Sequence, residues 1–445
     1  MVSVSGVRGI VGKDLTPDIV ARYAAAFGWL AVREGNPTVV LGRDARVSGP
    51  MFEAAARAGL QSVGCRVIAL GIVPTPTVQL AVEHHEAGGG IVLTASHNAI
   101  EWNALKFVGA DGLFLDANAG ALLRELVDGD IPRAAWDGIG DVGDDASAVT
   151  RHIALIMALP VVDAESVRQR HFTVALDCVR GAGATIMPAL LEDLGCTVVG
   201  MDLETDGRFP REPEPVPANL GGLGALVLRE GADMGIAVDP DVDRLAVVDE
   251  KGVPIGEDYT LAFAVEAVLR RQVGPVVVNL STSLVVDDAA REFGRSVTRS
   301  PVGEANVARA MREAGAVVGG EGNGGVILPA LHLGRDAPLA AALVLDLMAA
   351  EAQPVSAKVA SRPQYAIVKA KANRRNDLDH QYLTLLSRFP DADADRQDGL
   401  RLAWADRWLH VRPSGTEPIV RLIAEGPSVE VAEQLVAAAR AALKA

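Results

Sequence analysis

The chain has 445 residues, 49% hydrophobic and 22% charged, with a formal net charge of −15 at pH 7. That length predicts several well-cored domains, and an aromatic share of only 4% leaves their cores to Val, Leu, Ala and Ile. The acidic balance argues against a nucleic-acid partner, which needs a basic face, but not against a small anionic substrate held by a local cluster of arginines and backbone amides.

Near the N-terminus, Ser5-Gly6-Val7-Arg8-Gly9-Ile10 reads as a glycine turn that lets the backbone approach a ligand while Arg8 points at it. A strand follows at Thr38–Leu41, ending in Gly42-Arg43-Asp44, then a helix over Met51–Val63 and a strand over Arg66–Leu70. Pro74-Thr75-Pro76-Thr77 breaks the chain and opens a helix to His84. A third strand, Ile91–Leu93, leads into Thr94-Ala95-Ser96-His97-Asn98.

The same order returns from Phe172. A strand runs to Leu176, a helix covers Ala184–Leu194, and a second strand covers Thr197–Val199. A Pro-rich excursion spans Arg208–Pro215, before the helix Leu220–Glu230. The third strand, Met234–Val238, leads into Asp239-Pro240-Asp241-Val242-Asp243-Arg244. A third round has strands at Val276–Asn279, Ser296–Thr298 and Ala316–Val318, and helices at Leu284–Phe293 and Glu304–Ala314. It ends in Gly319-Gly320-Glu321-Gly322-Asn323-Gly324-Gly325.

Strands alternating with helices predict α/β domains with mixed, largely parallel sheets between helices. Ligands bind beyond the carboxyl ends of such strands, so three loaded loops in equivalent places predict one shared central cleft. From Ser361 the pattern changes to a smaller α+β domain, with strands at Tyr365–Val368, Leu400–Trp404 and Trp408–Val411 and helices at Asp379–Arg388 and Val429–Leu443. The acidic run Asp391–Asp395 reads as a solvated loop. The expected boundaries are 1–150, with the serine loop, 151–250, with the Asp loop, 251–360, with the Glu321 loop, and 361–445.

Cys65, Cys178 and Cys196 are odd in number, far apart and without CxxC spacing, the pattern of reduced core thiols and a cytoplasmic location. Met1–Lys13 has no signal-peptide pattern. The apolar stretches Leu261–Leu269 and Leu339–Ala350 are short and carry Glu266 or Asp346, so no membrane partner is expected.

Ser96 is a candidate nucleophile with His97 beside it and Lys106 nearby, although Ser-His neighbours are also ordinary turn residues. Asp239, Asp241 and Asp243 offer hard oxygen ligands for Mg2+ or Ca2+. An EF-hand is a poorer fit, because Arg244 stands where its glycine belongs and Leu245–Val248 continue as a strand. Arg244 is then left to hold an anion. Arg412, Ser414, Gly415 and Thr416, with Arg421 on the next strand, can surround a phosphate, while an N-cap and turn would use the same residues. Glu321 and Asn323 between glycines suit sugar hydroxyls, or form a plain flexible loop. Serine, metal, phosphate cradle and polyol reader together make a phosphoryl-transfer set, where catalysis is mostly positioning and charge stabilisation.

These motifs, in this order and spacing, resemble the α-D-phosphohexomutase family over the whole chain. The resemblance implies that Ser96 carries a phosphoryl group and that Mg2+ is held by Ser96, Asp239, Asp241 and Asp243. It also implies a hexose bisphosphate intermediate, which serves as primer, with Arg8 and Lys106 assisting beside the serine. Arg244, Glu321 and Asn323 would contact the sugar phosphate, and Arg412, Ser414, Gly415, Thr416 and Arg421 the non-reacting phosphate. Two residues depart from the pattern: Ala99 stands where most members have Pro, loosening the serine loop, and Gly325 where many bacterial members have His. The glycine-rich form of the Glu321 loop resembles phosphoglucosamine mutases, which implies glucosamine phosphates as substrates. Glucose or mannose phosphates, a phosphoserine phosphatase and a non-catalytic sugar-phosphate-binding protein are the rival readings.

Overall fold

The computed structural model describes residues 2–3, 6–374, 377–414 and 419–444. Its first three sheets share a plan. In the first, Thr38–Arg43 lies centrally, with Arg66–Ile72 and Gly89–Leu93 parallel to it on either side. Trp102–Gly109 then adds antiparallel to Gly89–Leu93. The second sheet repeats this with Thr173–Asp177 at the centre, Thr197–Met201 and Met234–Val238 beside it, and Leu245–Val248 antiparallel. The third has Val276–Asn279, Val297–Ser300, Val318–Glu321 and an antiparallel Gly325–Ile327. The parallel strands at the centre are apolar runs because helices cover both faces. In all three, the chemically loaded loop turns the third strand into the antiparallel fourth.

Two helices join the second and third units. Ala337–Glu351 is buried from Ala337 to Met348, and Glu257–Leu269 from Thr260 onward. Both are apolar all round because they lie inside protein on every side. They belong to one continuous core running from Ile153 to Val355. Among the described residues, no helix is long and apolar enough to cross a membrane.

The fourth unit is a five-stranded antiparallel sheet. The helices Leu378–Arg388 and Val429–Lys444 bury its apolar side chains on one side.

Several elements differ from the sequence expectation. Gly6–Ile10 is a strand, not a turn, paired antiparallel with Trp102–Gly109. A Cβ at Gly6 would lie 2.0 Å from the Leu105 carbonyl oxygen, so this glycine serves a close approach between strands. The helix expected over Ala184–Leu194 is divided at Ile186 into a 3-10 turn, Ala182–Thr185, and a helix, Met187–Asp193. Pro188 lacks the N–H that would continue one helix into the next. Asp393–Asp395 forms an edge strand instead of a loop, and the third strand of the third sheet reaches Glu321. The helix Pro17–Arg33 was not expected.

Candidate active site

The carboxyl ends of the three sheets and the open face of the fourth surround a cleft of about 1120 Å³. Arg8, Ser96, His97 and Lys106 line it from the first unit, Arg244 from the second, Glu321 and Asn323 from the third, and Arg412 and Arg421 from the fourth.

Ser96 is held in a strained backbone, at φ 49°, and is 3% exposed. Its N–H donates to Thr94 Oγ1 at 2.9 Å, and Thr94 in turn donates to Asp44 Oδ2 at 2.7 Å. Arg46, fully buried, donates to the carbonyls of Ser96 and Asn98, each at 2.6 Å, of Ala99 at 2.8 Å and of Trp102 at 3.0 Å. Ala99, expected to loosen this loop, is therefore tied down through its own carbonyl. The Ser96 hydroxyl donates to Asp239 Oδ2 at 2.9 Å, and His97 Nδ1 lies 3.3 Å from it. Arg244, burial and Arg8 hold the His97 imidazole well below its usual pKa, so it is neutral. Arg8 reaches Asn98 Oδ1 at 2.5 Å.

Asp239, Asp241 and Asp243 are buried, and one carboxylate oxygen from each falls within 4.8 Å of the others. Val242 between them takes φ 64°, costly for a β-branched residue. Asp239 Oδ1 accepts from the amides of Asp243 and Arg244, both at 3.2 Å. Asp241 Oδ2 accepts from Thr75 Oγ1 at 2.8 Å and Lys106 Nζ at 2.7 Å. Asp243 Oδ2 accepts from Arg335 at 2.5 Å. Asp241 Oδ1 and Asp243 Oδ1 are buried without a hydrogen-bond partner. Asp239 thus has both oxygens bonded by protein and the other two carboxylates one each; Asp243 Oδ1 has Arg244 Nε 3.7 Å away. Burial and its two acidic neighbours push Asp239 well above the usual carboxylate range. At Asp241 burial acts the same way but is outweighed by Lys106, which holds that carboxyl low. Oxygen-only donors with orphaned atoms fit a hard divalent cation.

Arg244 is not left for an anion alone, since the Pro-rich excursion folds back and places Glu214 Oε1 3.1 Å from its Nη1. Glu321 is 4% exposed and held through both oxygens: Oε1 accepts from Asn279 at 2.8 Å and the Gly303 amide at 2.9 Å, Oε2 from Arg335 at 2.8 Å. Asn323 Oδ1 accepts from the Gly325 amide at 3.2 Å. In the fourth sheet, register places Lys371 opposite Arg421 and Arg421 opposite Arg412. Three cations therefore stand in one row across the strands at the cleft. Like charges opposed in this way are unfavourable without an anion. Arg412 also meets Asp398 at 2.9 Å. Ser414 is buried at the end of its strand, its N–H on the Ile419 carbonyl at 2.9 Å. Gly415 and Thr416 lie outside the described residues.

Thr75, Arg46, Lys371 and Arg335 were missed in the sequence. Their neighbours are distant in the chain, and only the Gly42-Arg43-Asp44 strand end hinted at the first domain's share.

A buried serine hydroxyl on an acidic triad, facing a row of cations across a four-unit cleft, defines an enzyme of phosphoryl transfer. Family models described as phosphoglucomutase/phosphomannomutase alpha/beta/alpha domains I, II and III and C-terminal domain match residues 2–130, 151–252, 256–365 and 362–442. The chain belongs to this family: it is a phosphohexomutase, an intramolecular phosphotransferase of the isomerase class. It is 38% identical over 436 residues to a probable phosphoglucosamine mutase of Methanopyrus kandleri, covering 97% of this chain and 95% of that one. It is 39% identical over 436 residues to a phosphoglucomutase/phosphomannomutase of Thermococcus kodakarensis, covering 96% and 95%. Among solved structures, a phosphoglucomutase/phosphomannomutase family protein of Burkholderia thailandensis superposes with a TM-score of 0.87 at 27% identity, covering 100% of this chain and 98% of that one.

Proposed function

We propose that the enzyme interconverts glucosamine 6-phosphate and glucosamine 1-phosphate, with Ser96 as phosphoryl carrier. The observation that carries this reading is the Ser96 hydroxyl, 3% exposed and 2.9 Å from Asp239 beside two orphaned carboxylate oxygens. In the first transfer the bond from phosphorus to Ser96 Oγ breaks as a sugar hydroxyl bonds to phosphorus; the sugar hydroxyl gives up its proton and Ser96 Oγ takes one up. The product is a hexose bisphosphate. After this intermediate turns in the cleft, the bond from its other phosphorus to the sugar oxygen breaks as Ser96 Oγ bonds to that phosphorus; Ser96 gives up its proton and the sugar oxygen gains one. A hexose bisphosphate supplied from outside would prime the serine by the same return step.

Asp239, Asp241, Asp243 and Ser96 would hold Mg2+, which supplies positive charge against the transferring phosphoryl group. Lys106 is cationic: burial lowers its pKa, but Asp241 and Asp243 more than offset that. With Arg8 it places fixed positive charge beside the serine. His97 places a ring nitrogen of its neutral imidazole 3.3 Å from Ser96 Oγ. Glu321, held rigid on three donors, and Asn323 are the sugar contacts, with Arg244 beside them. Arg412, Arg421 and Lys371 grip the phosphate that is not reacting, together with Ser414, Gly415 and Thr416. Serine burial favours a mutase over a phosphatase, because water must be kept from the phosphoserine.

Glucosamine as the sugar is supported by the relative of M. kandleri; the relative of T. kodakarensis supports glucose and mannose phosphates as the second reading. Phosphorus NMR with Mg2+, catalytic hexose bisphosphate and each 6-phosphate in turn separates them. The expected result is a 1-phosphate signal growing fastest from glucosamine 6-phosphate. Faster conversion of glucose or mannose 6-phosphate overturns the choice of sugar, and steady release of inorganic phosphate overturns the mutase cycle.

A further inference from the structure

Position 325 has no side chain, and the structure shows what takes its space. A Cβ added at Gly325 would lie 2.3 Å from Arg335 Cδ and 3.0 Å from Arg335 Cγ. The stem of Arg335 therefore crosses the volume into which any side chain at 325 would grow. Its guanidinium continues to three carboxylates from separate parts of the chain. Nη2 donates to Asp243 Oδ2 at 2.5 Å, Nη1 to Glu321 Oε2 at 2.8 Å and Nε to Glu304 Oε2 at 3.1 Å. The residue is 7% exposed. Burial disfavours its charge, but Asp243, Glu321 and Glu304 more than offset this, so it is a permanent cation.

The backbone carrying Arg335 is pinned as well. Its N–H donates to Glu304 Oε1 at 3.3 Å. Asp336, next in the chain, caps the helix Ala337–Glu351 through the Leu339 amide at 2.9 Å. The other Asp336 oxygen meets buried His152 at 2.8 Å and His332 at 3.0 Å. Because both ends of the side chain are fixed, it cannot swing away cheaply from a new neighbour at 325.

We propose that Arg335 is a positioning residue that replaces the missing side chain at 325 and locks the Asp loop to the Glu321 loop. This rests on reading the Asp triad as the metal site and Glu321 as a sugar contact. By taking Asp243 Oδ2, Arg335 leaves Oδ1, which is buried without a hydrogen bond and has Arg244 Nε 3.7 Å away, as the oxygen that faces the cation. By taking Glu321 Oε2 with another arm of the same planar group, it fixes the sugar-side carboxylate relative to the metal side. Only a guanidinium has the fork of donors to do this at once; a lysine ammonium is a point charge.

The test is a double-mutant cycle on Gly325→Ala and Arg335→Ala, read by calorimetric Mg2+ titration without sugar phosphate and by KM and kcat. Gly325 is not in the left-handed region, and the nearest atoms an alanine there would meet are side-chain atoms of Arg335 and Asn323. Gly325→Ala alone is expected to weaken Mg2+ binding and raise KM, each about tenfold, as loss of support behind a metal ligand does. With Arg335→Ala already present, it should add less than about twofold, because the close clash with the Arg335 stem is gone and only Asn323 Oδ1, at 3.1 Å, remains. Should Arg335→Ala fail to fold, Arg335→Lys, which keeps the stem but not the fork of donors, is read on its own and is expected to fold with weakened Mg2+ binding and a raised KM. Unchanged Mg2+ affinity in Gly325→Ala, or effects of the two substitutions that simply multiply, would overturn the proposal. A Mg2+ shift with KM unmoved would overturn the coupling, provided Glu321→Gln, measured alongside, raises KM. If Glu321→Gln leaves KM alone, the sugar-contact reading fails instead, and the Mg2+ titration still decides the role of Arg335.

Discussion

Arg46 shows how much of the site depends on side chains that never meet the cleft. It holds the serine loop by four carbonyl oxygens, and its own charge is balanced by Asp44 at 3.0 Å. Ser96 sits at φ 49° and Val242 at φ 64°, conformations that a free loop would leave. Such strain persists only where the surroundings over-determine it. Around Ser96 its own amide's bond to Thr94 and the bonds from Arg46 do so. Arg46→Ala removes the Arg46 bonds and leaves the Asp44 carboxylate buried without its cation. The expected cost is about 3–5 kcal/mol in denaturant unfolding, with a large fall in kcat as the loop relaxes. A loss under about 1 kcal/mol would show that the serine loop holds its shape unaided.

At the scale of elements, the parallel strands were legible because apolar runs such as Val39-Val40-Leu41 and Val276-Val277-Val278 have no other use. The loops that follow were marked by their residue types, a serine beside a histidine in the first and three carboxylates at alternating positions in the second. Trp102–Gly109 was not, because Asn103 and Lys106 interrupt its apolar pattern. Both are buried: Asn103 donates to Ser48 and Lys106 reaches Asp241. Gly6–Ile10 read as a turn because its glycines suggest flexibility, whereas Gly6 packs closely against the neighbouring strand and Gly9 against Asp14 and Leu15. The row Lys371, Arg421, Arg412 exists only in the register of three strands. Arg335 was equally hidden, since its partners Asp243, Glu304 and Glu321 are brought together by folding alone.

At the scale of the molecule, the second and third units share one core, while the fourth meets the third through polar contacts. Glu425 accepts from Ser283 Oγ, the Leu284 amide and Trp408 Nε1. His410 bridges the same boundary. Its Nε2 donates to the Asp398 carbonyl at 2.7 Å, which leaves Nδ1 to accept from Ser281 Oγ at 2.8 Å. Burial pushes its pKa down to about 4, and the Asp398 carbonyl only partly opposes that. The unfolded value is about 6.5, so between these values the unfolded chain binds the extra proton. Stability from neutral His410 is complete above the unfolded pKa and is lost as pH falls through the window toward about 4. The denaturation midpoint should therefore drop more steeply from pH ~7 to ~4.5 in the native chain than in His410→Gln. Parallel curves would contradict a neutral histidine at this joint.

The most direct test of the whole account is the covalent state of Ser96. The purified enzyme is incubated with Mg2+ and hexose bisphosphate, and its peptides are weighed before and after a chase with glucosamine 6-phosphate. The account predicts one phosphoryl group on the peptide containing Ser96, lost to the sugar in the chase, and none in Ser96→Ala, which should be folded and inactive. Phosphate on another residue, or turnover retained by Ser96→Ala, would contradict it.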